Sequence, residues 1–175
     1  MKKILLSIMI VLLSQTQCYR GDDDLLSIQL TPYTGNQLQI DGYYYQIGYD
    51  DQTIFSAYFF YKNGVLIYCG GAEPSLEEMD NYIKKFFINS KHNKYMKYDC
   101  GLFLIEGNNI KFDRWYPSEK PYKAFVREGV IINDTTFHIT KSYHSAGITE
   151  PRDRDEMYYF RSFSPKPDST NVIIK

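Results

Sequence analysis

The sequence predicts a mainly β protein: an eight-stranded antiparallel meander, closed as a barrel or half-barrel, with one amphipathic helix between the third and fourth strands. Three observations carry this. Seventeen Tyr and eleven Phe in 175 residues bring the aromatic share to 17%, a composition that favours strands. Apolar runs with a period of two are separated at Asn63-Gly64, Gly107–Asn109 and Asn133-Asp134 by joins short enough to require antiparallel neighbours. The stretch from Pro74 to Phe87 switches to helical spacing.

In chain order the strands are expected over residues 39–48, 53–62, 65–70, 101–106, 110–115, 122–132, 135–143 and 156–163. In "TIFSAYFFY", Phe55, Ala57, Phe59 and Tyr61 share one face while Ile54, Tyr58 and Phe60 share the other, so both faces are apolar. Ser75 with Glu78 three residues on forms a capping box. Behind it Leu76, Met79, Ile83, Phe86 and Phe87 make one apolar stripe, read as facing the sheet, and Lys84 and Lys85 sit where the helix dipole favours cations. On residues 110–115 Ile110, Phe112 and Arg114 oppose Lys111, Asp113 and Trp115; on 156–163 Arg161 shares a face with Met157, Tyr159 and Phe163. An arginine on an aromatic face either seals a barrel end by stacking or meets an acidic ligand head. Closure into a barrel is expected because it removes exposed strand edges.

Ahead of the strands, Lys2, Lys3 and the ten apolar-rich residues 4–13 read as the charged and hydrophobic regions of a secretory signal. That run is too short for a bilayer core of about 30 Å. Residues 1–17 are therefore expected to be removed, 18–38 to form a lipidated N-terminus with an acidic tether (Asp22, Asp23, Asp24), and 39–175 to form one domain. Ser14 and Thr16 offer a competing cleavage site before Gln17, whose product would be a soluble periplasmic protein. Without Lys2 and Lys3 the chain carries 18 basic and 21 acidic residues, a balance with no overall pull on nucleic acid. The local basic run of Lys84, Lys85, Lys91, His92, Lys94 and Lys97 reads as a solvated helix end and loop.

The placement of Cys18 directly behind the hydrophobic run resembles the start of bacterial lipoproteins, although Gln15 and Gln17 stand where that motif has Leu and a small residue. The resemblance implies an acylated Cys18 and attachment to the outer membrane, facing the periplasm or the surface; "YRGDDD" resembles the acidic signal that sends some such proteins to the cell surface. Cys69 and Cys100 then remain as an even pair in an oxidising compartment, where a bridge is expected, the alternative being two small buried residues at strand ends.

The meander over residues 39–163 resembles the lipocalin-like barrels, without their Gly-x-Trp, since Tyr44 follows Gly42. No ligand residue is taken from that resemblance; instead, the strands carry more large aromatics on both faces than a small core and one covering helix can bury, which points to an apolar or amphipathic small-molecule ligand with Tyr44, Phe55, Phe59, Phe112 and Tyr159 as wall residues and Arg114 or Arg161 near a mouth. The alternative is a non-catalytic envelope interaction or structural protein whose barrel its own side chains fill. His92, His138 and His144 lack metal-site spacing and read as surface residues; with no nucleophile elbow or phosphate loop, neither an enzyme nor a cofactor is expected.

Overall fold

The computed structural model describes residues 22–48, 53–89, 96–117 and 120–174. The strands are β1 (Gly42–Ile47), β2 (Ile54–Phe60), β3 (Val65–Glu73), β4 (Cys100–Glu106), β5 (Asn109–Trp115), β6 (Ala124–Asn133), β7 (Thr136–His144) and β8 (Arg152–Ser162). Each pairs antiparallel with the next, and β1 pairs with β8 to close the barrel. Helix α1 (Leu76–Ile83), extended by a wider π-type turn over Lys84–Ile88, lies between β3 and β4. Ser75 caps it, its hydroxyl accepting from the Glu78 N–H at 3.2 Å. Met79, Ile83 and Phe87 of the predicted stripe are buried against the outside of the barrel.

The connections alternate in length. Tight joins link β2 to β3, β4 to β5 and β6 to β7 at one end; all the longer connections, including α1, gather at the other. The fold thus has a tight-turn end and a loop end, and the long connections of the loop end are where the chain between strands can build a site.

The interior is filled by rings from facing strands. Tyr44, Tyr58, Phe60, Phe103, Phe112, Phe137 and Tyr158 are all buried in one cluster. Their centroids approach to 4.9 Å for Tyr58–Phe112, 4.9 Å for Phe60–Phe103 and 4.8 Å for Phe137–Tyr158. A second cluster lies between the barrel wall and α1, with Tyr43, Ala57, Phe59, Ile67, Cys69, Cys100 and Phe163 from the strands. This explains why both faces of β2 read as apolar: one lines the interior and the other is roofed by the helix.

Ser56 adopts a positive φ of 55°, and the β2–β3 register shifts between Phe55 and Ala57. That bulge breaks the period of two, so Ile54 joins the outer cluster with Ala57 and Phe59, while Phe55 is left 37% exposed.

Residues 22–38 do not form a separate tether. The Asp24 N–H donates to Tyr122 O, its carboxylate accepts from the Ala124 N–H at 2.9 Å, and its carbonyl accepts from Trp115 Nε1 at 2.7 Å. Asp23 accepts from the Tyr122 N–H and from Lys97 Nζ, each at 2.8 Å. Ser27 donates through N–H and hydroxyl to Asp113 at 2.6 and 2.8 Å. The Tyr33 N–H then meets Lys62 O at the tight-turn end, and Leu38 inserts into the interior cluster. The segment is a strap running from loop end to tight-turn end, because the aspartates find unpaired backbone donors at the start of β6 that water would otherwise have to satisfy. The signal segment 1–17 and Cys18 lie outside the described residues.

Two further expectations are corrected. Cys69 and Cys100 are buried free thiols. Cys100 stands opposite Ile67, which leaves Cys69 two residues further along β3, a diagonal Cα separation of about 7–8 Å that exceeds normal disulfide reach. Burial pushes the Cys100 thiol up to about 12. His144 is not on the surface: it is 6% exposed, with Nε2 2.9 Å from the Asp24 carboxylate and its ring edge-on to Phe125.

Candidate functional site: an aromatic cleft at the loop end

The wall residues expected from sequence do not line one cavity. Tyr44 and Phe112 are inside the barrel, Tyr44 near the tight-turn end with its hydroxyl donating to Gln39 O and Asp134 O. Phe59 belongs to the outer cluster, and Tyr159 lies against Tyr45 on the outer surface, 36% exposed. Arg161 is also outside: its guanidinium grips Asp80 of α1 through Nε and Nη2, at 2.6 Å for the shortest contact, while the Tyr43 hydroxyl donates to the same carboxylate at 2.7 Å. Arg161 pins the helix to the wall and faces no mouth. Alternation along β8 correctly separates Tyr158 and Phe160 from Tyr159 and Arg161, but it is the first pair that points inward.

Arg114 does face the interior, at its loop end. The guanidinium lies between two rings, 3.7 Å from the Tyr68 centroid and 3.9 Å from that of Tyr116. Nη1 donates to Tyr98 O and Trp115 O, each at 3.1 Å, whereas the buried Nε has no partner. Beside it Arg127 pairs with Glu156 at 3.0 Å and donates through Nε to the Tyr116 hydroxyl at 3.1 Å. This layer of stacked and paired arginines closes the interior at the loop end, as Leu38 and Tyr33 close it at the tight-turn end.

On the outer side of that seal is a cleft of about 420 Å³, within the size range of small-molecule sites. Tyr68, Gly70 and Gly71 of β3 form one side. Tyr82, Phe86 and Phe87 of the helix and its π-type turn form another, and Met96, Tyr98, Asp99 and Pro117 complete it. Tyr82 and Phe86 are ordinary i,i+4 helical neighbours with centroids 4.8 Å apart, and the wider π-type turn brings Phe87, five residues on, to 6.1 Å from Tyr82 in the same lining.

The chemistry of the cleft centres on Asp99, the last residue of the 3-10 turn Lys97–Asp99. It is 8% exposed, and among the described residues no hydrogen bond or ion pair to its carboxylate is found. Burial pushes its pKa up to about 7, with the Arg114 charge pulling the other way. Asp99 in turn adds to the burial that raises the neighbouring Tyr98 and Tyr82 hydroxyls.

Since its folded pKa lies above the ordinary 3.8, the stability Asp99 contributes is fully present below about pH 4 and is lost as pH rises through about 7. Asp99→Asn, which mimics the protonated acid, is therefore expected to stabilise the protein by about 2–4 kcal/mol at pH 8 and to change little near pH 3.5. Urea unfolding at both values checks this. An equal effect at the two would show that the carboxylate is not desolvated.

Asp99 was not legible in the sequence. A single aspartate between Tyr98 and a strand start carries no spacing signal, and only the helix's return across β3 brings Tyr82 and Phe86 to it. Among the described residues no three His, Cys, Asp or Glu side chains are grouped to hold a metal. No protein-family model, curated protein or solved structure matches the chain.

Proposed function

We propose that the protein is a non-catalytic cell-envelope lipoprotein that binds a small amphipathic molecule in the loop-end cleft, and not within the barrel. The observation that carries this reading is the cleft itself: an aromatic-lined concavity of about 420 Å³ with one unpaired carboxylate, beside a barrel interior already occupied by its own rings. Burial raises the pKa of that carboxylate, which among the described residues has no partner, and a perturbed group of this kind in a cleft supports a role in binding.

Anchorage rests on sequence. Lys2, Lys3 and residues 4–13 form the signal, and Cys18 is the acylated residue. Three residues separate Cys18 from the strap at Asp22, a reach of roughly 14 Å when extended, so the barrel would sit against the membrane. Leu25, 85% exposed, opens a shallow apolar groove with Leu26, Ile28, Trp115 and Ile173 on the strap side of the barrel, a surface suited to that position.

The test is titration of the full-length chain with N-phenyl-1-naphthylamine, a neutral amphipathic fluorophore. Saturable one-to-one binding is expected, weakened about tenfold by Tyr82→Ala, equivalent to roughly 1.4 kcal/mol. Absence of saturable binding would leave the second reading, a structural or interaction protein, which the filled interior also favours.

A further inference from the structure

The loop-end cleft has a polarity that narrows its ligand. Its walls include Tyr68, Tyr82, Phe86, Phe87 and Tyr98, and among the described residues the only carboxylate in its lining is Asp99. The nearby cation, Arg114, is unavailable as a counter-ion: both its faces are covered by Tyr68 and Tyr116, its Nη1 is committed to backbone carbonyls, and it forms no ion pair with Asp99. Tyr68 thus turns one side of its ring to a bound guanidinium while belonging to the cleft wall. Ring quadrupoles attract cations, and a carboxylate among rings gives such a cation a matching charge.

We infer, resting on the cleft as the binding site, that its ligand carries an organic cation, an ammonium or quaternary amine on a short apolar body, seated among these tyrosines against Asp99. The apolar body lies along Phe86 and Met96 towards solvent, Met96 being 43% exposed. The charge acting on Asp99 is that of Arg114 of β5, and the titratable groups around it, on which its own charge acts, are Cys69 of β3, Cys100 of β4, Tyr82 of α1 and the adjacent Tyr98. Both thiols are held neutral by burial, as are the two phenols at neutral pH, so Arg114 is the only one of these that is charged there, and it favours ionised Asp99.

Isothermal titration of the full-length chain with hexyltrimethylammonium, hexanol and hexanoate at pH 8 and pH 5.5 separates the cases, since the three probes share one tail. The expected result at pH 8 is at least tenfold tighter binding of the cation than of hexanol. That preference should largely vanish at pH 5.5, where Asp99 is protonated, and at both pH values in Asp99→Asn. The quaternary probe keeps its charge throughout, so the pH effect reports on the protein. Equal affinity for cation and alcohol, or a preference for hexanoate, overturns the inference while leaving the cleft as the binding site. Failure of all three probes, together with the neutral fluorophore, overturns both. Unchanged urea midpoints for Tyr82→Ala would confirm that its weaker binding does not arise from unfolding.

Discussion

Phe112→Ala is expected to lower the unfolding free energy by about 3–5 kcal/mol, the range for a large aromatic removed from a close-packed core. The ring is fully buried and meets those of Tyr58, Phe60, Phe137 and Tyr158 at centroid distances between 4.9 and 6.5 Å, so strands β2, β7 and β8 all lose a contact at once. Polar groups sit close by: the Tyr158 hydroxyl donates to Glu156 at 3.3 Å, and water entering the vacated space would compete for it. Phe112→Leu, nearer in volume, should cost about 1–2 kcal/mol. In a hollow, ligand-holding barrel the same residue would be a wall with one face already uncovered, and truncation would cost well under 2 kcal/mol. Urea titration of the two variants therefore tells a filled barrel from an empty one.

Deleting residues 1–38 is expected to abolish cooperative unfolding altogether. Leu38 closes the tight-turn end, and its loss exposes Phe103, Phe137 and Tyr44 to water. At the other side the Asp113 carboxylate, fully buried, loses both Ser27 donors and keeps only the Ser145 hydroxyl at 2.6 Å. The Ala124 and Tyr122 N–H groups and Trp115 Nε1 lose their acceptors in the same step. Each buried donor or acceptor stranded in this way costs about 1–3 kcal/mol, and together they exceed what a domain of this size has in reserve. Asp113→Ala provides the graded version, with an expected loss of about 2–4 kcal/mol. Circular dichroism melts should show a sharp transition at lower temperature for Asp113→Ala and none for the deletion. A sharp, unshifted melt of the deleted chain would return residues 22–38 to the role of a tether.

The fold was legible because its signals are local. Asn63-Gly64 forms a tight join with Gly64 at a φ of 83°, and Ser75 with Glu78 marks the helix start; both act within four residues. The strap was hidden because its aspartates look like solvated charges, and only the register of β5 and β6 brings Tyr122, Ala124 and Trp115 to them. Period-two reading also separates the two faces of a strand without saying which is inner. Where a helix covers the outside, both faces carry aromatics, so Phe59 and Tyr159 could be taken for interior residues. The bulge at Ser56 then shifts even the face of Phe55, and nothing in "TIFSAYFFY" announces it. Arg114 was found because an arginine alternating with Ile110 and Phe112 is a local anomaly, although its partners Tyr68 and Tyr116 come from other parts of the chain.

The central claim is that binding occurs at the loop-end cleft of a barrel filled by its own side chains. A crystal structure of the full-length chain with hexyltrimethylammonium tests it most directly. The account predicts density for the head group within about 4–6 Å of the Tyr68, Tyr82 and Tyr98 rings and against the Asp99 carboxylate, with Phe112, Tyr58 and Phe137 unmoved. Density among those three interior rings, with the rings displaced to admit it, would contradict the claim and restore the barrel itself as the binding site.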